Sequence, residues 1–460
     1  MNRSPRIALL AALFSCACSA DDPANPASGG AGAGGAGVGG SPIGMGGTTP
    51  AGGTSTGGMA TMGGSAQGGF TSGGSAATAG ASGSAGAAAT GGSNAAGTAG
   101  TATSGGAGAG AGGASGGSAG SAGSAGSAGS GGAAGGLTDP GTKGDGDITI
   151  GGTYKASPDL TSNAGPASKT FSFSMSSTMS MFYTGMDATL TTRQSFTRNI
   201  TVHVPAKYRD GTAAPFMIVT DGPGGIGIGN RMRDAIRNLS HGTNPERTLP
   251  PIVLITVAHG GGDSKGSQRG LEYDTVSDRY ARFIDEEVLP AVLAHAPLKT
   301  AYPNFALTQD PEGRGTVGCS SGGAAALTMA WFKPEKFRRV IAYSATLVDQ
   351  QDDDAPEEAM YPLGAWDYHS GKALVANSPI KPLRIFINAN ENDNGSTRAE
   401  TDTHNWVSAN RRMAAALKAK GYHYRFVYGL AAGHCDGKVY DADLPETMLW
   451  VWRGYPLTAP

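Results

Sequence analysis

Residues 146–460 predict an α/β fold in which a mostly parallel central sheet is covered by helices on both faces. Three observations lead there. Apolar runs of strand length alternate with longer stretches of helical periodicity. One short strand ends in the tight turn Gly318-Cys319-Ser320-Ser321-Gly322 and opens directly into the small-residue run Gly323-Ala324-Ala325-Ala326. Finally, His434 stands between the last strand-like and the last helix-like segment.

The expected strands are Thr170–Met175, Asn199–Val204, Phe216–Thr220, Ile252–Ala258, Thr316–Val317, Arg339–Tyr343, Leu383–Asn388 and Tyr424–Tyr428, each an apolar or alternating run bounded by turn residues. The expected helices are Val276–Ala296, Gly323–Phe332, Trp406–Lys420 and Leu444–Arg453. Thr275, Asn405 and Asp443 are their N-cap candidates, and Gly421 is a C-terminal stop.

What precedes this part has a different character. Arg3 and Arg6 followed by the apolar run Ile7–Phe14 read as a signal peptide over residues 1–20, too short to span a bilayer. Leu13-Phe14-Ser15-Cys16 resembles a lipobox, which marks Cys16 as a lipid anchor; cleavage near Ala20 is the alternative. Residues 21–145 are dominated by Gly, Ala, Ser and Thr and read as a disordered tether. A coil of that length separates its ends by about 60 Å. The expected location is outside the cytoplasm: a cell-envelope lipoprotein, or otherwise a periplasmic or secreted protein. A net charge of −2 gives nucleic acid no electrostatic footing, and a membrane partner is expected only through the anchor.

The G-x-S-x-G pattern around Ser320 describes a strained strand-to-helix turn that exposes a serine hydroxyl above a sheet. The pattern alone is weak, since Gly116-Gly117-Ser118-Ala119-Gly120 in the tether matches equally well. Context singles out Ser320, and an α/β-hydrolase arrangement fits it. A serine needs a base and an orienting carboxylate, which in that arrangement follow in the order acid, then histidine. The last histidine, His434, is the base candidate. The acid is expected after the strand Leu383–Asn388, where Asp393 is preferred and Glu391 is the alternative. Developing negative charge on the substrate oxygen needs donors. These are expected from the Ser321 backbone and from Asp221 and Gly222; His259-Gly260-Gly261-Gly262 resembles a lipase motif but follows the wrong strand.

Two cysteines adjoin this machinery, Cys319 before the serine and Cys435 after the histidine. If the two loops meet, so do these thiols, and outside the signal region they have no competitor for a disulfide. Asp352-Asp353-Asp354 with Glu357 and Glu358 reads as a solvated acidic loop rather than a cation site, and no metal or cofactor is expected. Trp366, His404 and Trp406 are candidates to line a cleft near the acid loop.

Several stretches together resemble the esterase D-type family, which includes enterochelin esterases and feruloyl esterases. They are Gly318–Gly323, Glu272-Tyr273-Asp274 through Arg279-Tyr280 to Pro290, Asn405-Trp406 through Met413, and Gly433-His434 with Leu444-Pro445 and Leu449–Arg453. Asn390-Glu391-Asn392-Asp393 is similar to the Gly-Thr-Asn-Asp turn that carries the acid in such feruloyl esterases, with the final Asp in register. The cysteine placement instead resembles glucuronoyl esterases, which usually carry Arg where this chain has Ser321. The resemblance implies a serine esterase acting on a carboxylic ester, such as a feruloyl, acetyl or glucuronoyl ester of a cell-wall polysaccharide, and the N-terminal signal adds that it is exported. A siderophore esterase and a non-catalytic binding protein on the same fold are the alternatives.

Overall fold

The computed structural model describes residues 141–185, 194–262, 266–351 and 359–457. The signal segment with Cys16, the tether through residue 140, and Asp352–Asp354 with Glu357 and Glu358 lie outside the described residues.

The strands are β1 (Gly146–Ile150), β2 (Lys169–Ser176), β3 (Thr197–Val204), β4 (Ala213–Ala214), β5 (Phe216–Val219), β6 (Val253–Val257), β7 (Ala306–Leu307), β8 (Arg314–Cys319), β9 (Arg339–Tyr343), β10 (Arg384–Asn392) and β11 (His423–Gly433). Nine form one sheet in the order β1-β11-β10-β9-β8-β5-β6-β3-β2, while β4 pairs with β7. From β1 to β6 all neighbours are parallel; β3 runs antiparallel to β6 and to β2. The parallel strands are covered on both sides, so β5, β6 and β9 are buried along their whole length and read as continuous apolar runs. The edge strand β2 alternates between exposed and half-buried, and begins with Lys169.

The helices are α1 (Ile228–Ser240), α2 (Gln268–Tyr273), α3 (Arg279–Phe283), α4 (Leu289–Ala294), α5 (Ala296–Ala301), α6 (Ser321–Phe332), α7 (Leu374–Asn377), α8 (Trp406–Lys420) and α9 (Gly437–Val451). Strand alternation sorts the core into two layers. Met217 and Val219 pack with Ile228 and Met232 of α1 and with Val439 and Leu444 of α9, whereas Phe216 and Ile218 join the core that holds Leu327 of α6 and Met413 of α8. Helices therefore cover both faces, as expected.

Several boundaries differ from expectation for identifiable reasons. The stretch expected as one helix over Val276–Ala296 passes from α3 through a π turn, Ile284–Val288, into α4. Pro290 has no N–H to continue the α ladder there. Asp278, not Thr275, precedes α3; the Thr275 hydroxyl donates to the Leu271 carbonyl. Helix α9 starts at Gly437 under an Asp436 cap and carries Pro445 inside it, so Asp443 is helical rather than a cap. Asn405 does cap α8 by accepting from the Ser408 N–H, and Gly421 ends it at φ 83°.

The residue before β1 is already held by the fold. Asp145 accepts hydrogen bonds from Trp450 Nε1 (2.9 Å) and pairs with His423 Nδ1 (2.8 Å), just before β1 adds to the sheet beside β11.

Candidate active site

Ser320 sits where β8 turns into α6, at φ 59° and ψ −132°. Such a conformation is costly for a residue with a side chain and persists only when its surroundings enforce it. Glycines make the turn possible. A Cβ on Gly318 would overlap the Gly322 carbonyl and Thr220 Oγ1; one on Gly322 would overlap Thr220 Oγ1 and stand 2.5 Å from Asp221 Oδ2. The Ser320 N–H donates to the Tyr343 carbonyl at 3.1 Å, and the Ser320 carbonyl accepts from the Thr346 N–H at 3.0 Å. The turn is thereby fastened to the loop after β9, and the positive end of α6 lies under the serine.

The acid loop follows β10. The Asp393 carboxylate accepts from the backbone N–H of Asn390 (3.2 Å) and of Asn394 (2.9 Å), and its Oδ1 lies 2.5 Å from His434 Nδ1. Its side chain is completely buried, while His434 retains 22% exposure. This arrangement fixes Nδ1–H as the donor to Asp393 and leaves Nε2 as the nitrogen available for a proton. Glu391 is directed elsewhere, accepting from the Ala431 N–H at 2.7 Å. Asn390 ties the acid loop to the base loop by donating from Nδ2 to the Gly433 carbonyl (2.6 Å).

A disulfide joins Cys319 to Cys435, with their Cα atoms 6.0 Å apart. It fastens the turn before Ser320 to the loop after His434. The Cys435 N–H donates to Ser344 Oγ (3.3 Å), which ties the same loop to the residue after β9 as well. The Ser320 hydroxyl itself is 3.4 Å from Thr346 Oγ1, which is its hydrogen-bond partner here rather than His434.

The Ser321 hydroxyl donates to Asp274 Oδ2 at 3.1 Å within the core, so its side chain is turned inward. Its backbone N–H, at the first position of α6, has no carbonyl a turn earlier within the helix to bond. The Asp221 N–H donates to the Tyr273 hydroxyl (3.0 Å) and the Gly222 N–H to the Val257 carbonyl (3.0 Å). Both donors are already engaged, and the next residue, Pro223, has none. The Asp221 carboxylate is held by Arg269 at 2.6 Å, with His259 Nε2 3.8 Å away. Burial lowers the pKa of His259, with the Asp221 charge acting in the opposite direction. In His259-Gly260-Gly261-Gly262, Gly260 donates to Glu272 Oε1 and Gly261 to His259 Nδ1.

Sequence reasoning missed Thr346, Tyr273 and Asp274 as parts of this site. Each joins the site through polar contacts made across the fold, and only the Glu272-Tyr273-Asp274 stretch stood out, as part of a family likeness. Of the three cleft candidates, Trp366 is buried against His369 and Arg412, His404 is half-buried beside Asp402, and Trp406 stands edge-to-face on His434 with ring centroids 6.2 Å apart.

The family model described as "Putative esterase" matches residues 194–451. No curated protein matches the chain. Among solved structures, a ferulic acid esterase is 17% identical with a TM-score of 0.42, over 63% of this chain and all of that one. The ferric enterobactin esterase of Salmonella typhimurium is 16% identical with a TM-score of 0.42, and the match spans 62% of this chain but only 59% of that protein. A ferulic acid esterase of the anaerobic fungus Anaeromyces mucronatus is 11% identical with a TM-score of 0.37, over 63% of this chain and 92% of that one.

Proposed function

This chain belongs to that esterase family and is a carboxylic ester hydrolase, and from that premise we propose that it works through an acyl-enzyme with Ser320 as nucleophile, His434 as base and Asp393 as orienting acid. The Asp393–His434 pair at 2.5 Å, one disulfide away from the strained Ser320 turn, carries the reading. His434 Nε2 takes the Ser320 proton as Oγ attacks the ester carbonyl, and the Ser321 N–H stabilises the tetrahedral oxyanion. Collapse expels the alcohol, which leaves with the proton held by His434. Water then enters by the same route and adds to the acyl carbon as His434 accepts its proton; the acyl–Oγ bond breaks as His434 returns that proton to Ser320 Oγ, which releases the acid and restores the serine. Ser320 Oγ has to exchange Thr346 for His434 as its partner in the first step, by a change of χ1 rotamer.

Ser320→Ala in the full chain tests this. Turnover of p-nitrophenyl acetate is expected to fall to background while the thermal melt stays close to wild type. Near-wild-type turnover would overturn the assignment.

We further propose that the chain is exported and anchored through Cys16, with the segment up to about residue 140 as a spacer. The support is the charged and apolar N-terminal pattern with its lipobox-like end. An acyl adduct on Cys16, sought by mass spectrometry of the membrane fraction, decides between anchor and release. For the substrate we propose an ester on a cell-wall polysaccharide, supported by the likeness of Asn390–Asp393 to the feruloyl esterase turn. Hydrolysis rates on feruloyl, acetyl and glucuronoyl esters and on an enterochelin-like trilactone rank the candidates; preference for the trilactone would replace this reading with a siderophore esterase.

A further inference from the structure

Trp406 opens α8 beside the acid loop, and its backbone N–H donates to the Asn394 carbonyl at 3.1 Å. Its indole Nε1–H donates to Thr346 Oγ1 at 3.3 Å, the same buried hydroxyl that lies 3.4 Å from Ser320 Oγ. Its ring meets the His434 imidazole at 86°. Ser320, Thr346 and Trp406 thus form a hydrogen-bonded chain whose far end rests on the base.

Two properties of Trp406 follow from these contacts. It is only half-buried although it is large and apolar, and its ring stands beside the proposed base. Its single donor is spent on Thr346, so the ring can offer a ligand only hydrocarbon and π surface. His434 must reach the oxygen of the departing alcohol to protonate it, so the part of an ester adjoining His434 is its alcohol.

We propose that Trp406 is a specificity-determining wall that packs on the apolar face of a ring carried by the alcohol of the substrate. Thr346 is the positioning residue that sets this wall relative to Ser320. The proposal rests on the acyl-enzyme reading above and adds a substrate class to it: esters of alcohols with a flat or ring-shaped apolar face, aryl or pyranosyl, over esters of short alkyl alcohols.

The test compares the full chain and its variants on 2-naphthylmethyl acetate and propyl acetate. Each variant is measured against wild type on the same ester, so the intrinsic reactivities of the two alcohols cancel. Trp406→Ala is expected to lower kcat/KM for the naphthylmethyl ester on the order of tenfold more than for the propyl ester, with the difference falling mainly on KM. Trp406→Phe is expected to retain most of the preference. Thr346→Val keeps the side-chain volume and removes the acceptor, so it gives a second reading that opens no cavity; ring discrimination should fall there too. Equal losses on both esters in Trp406→Ala and Thr346→Val would reduce Trp406 to packing and overturn the proposal. A wild-type chain that hydrolyses neither ester would instead overturn the acyl-enzyme reading.

Discussion

Asp393 reaches His434 Nδ1 at 2.5 Å, whereas Glu391, two residues earlier, gives its carboxylate to the backbone of Ala431. The turn that bonds the Asp393 N–H to the Asn390 carbonyl separates the two directions. Asp393→Asn is expected to lower kcat by about 10³–10⁴, the scale seen when a triad histidine loses its orienting carboxylate. Glu391→Gln should stay within about twofold of wild type. Steady-state rates on p-nitrophenyl acetate check both; the reverse order would move the acid to Glu391.

The disulfide closes a sequence separation of 116 residues. Its loss in a Cys319→Ala, Cys435→Ala double variant is expected to cost up to about 4–5 kcal/mol, an upper value from chain entropy. Urea unfolding with and without the bridge measures this. Thiol counting on the denatured, unreduced protein should find neither cysteine free.

Gly322→Ala places a methyl group against Thr220 Oγ1 and Asp221 Oδ2 under the nucleophile turn. Both neighbours are fixed, so the turn must shift. Turnover is expected to fall by at least about tenfold, because small displacements of a reacting group are costly, together with a lower melting temperature. Wild-type turnover would mean that the turn tolerates more space than its packing allows.

His203 and His369 both have pKa values lowered by burial to about 4. Unfolded, each takes up a proton near pH 6.5. Between those values the unfolded chain binds more protons than the folded one, so stability is full above about pH 6.5 and declines as pH falls toward 4. Melting curves across that range should show the decline, and a His203→Gln, His369→Gln double variant should flatten it.

Trp450 Nε1, His423 and Arg384 all converge on Asp145. A chain beginning at Gly146 leaves the buried Trp450 donor unpaired, at a cost of about 1–3 kcal/mol. It should melt several degrees below one beginning at Gly141. Equal melting temperatures would show that the fold draws nothing from the residues before 146.

Local pattern carried much of this architecture. Parallel strands such as Val253–Val257 and Arg339–Tyr343 need apolar side chains on both faces and so announce themselves as unbroken runs. β1 did not, because Gly146–Ile150 has only two apolar residues and gains its place by pairing with β11. Helix α1 hid behind a glycine-rich entry and a polar outer face. Chain order was enough to suggest Ser320, Asp393 and His434. The partners of the Asp221 and Gly222 donors were not legible, because position predicts where a loop lies, while the direction of an N–H depends on distant groups, here Tyr273 and Val257.

Because Cys319 and Cys435 are joined, residues 319–435 form a closed covalent ring that contains Ser320, Asp393 and His434. The ring also includes the exposed stretch 397–401, an accessible target for a protease. A single cut there opens the ring without dividing the molecule, and nucleophile, acid and base remain on one covalent body. Cuts before residue 319 or after 435 leave the ring whole. The bridge thus gives the site a tolerance to backbone nicks: separating these three groups covalently would take two cuts within the ring, or one cut together with reduction of the bond.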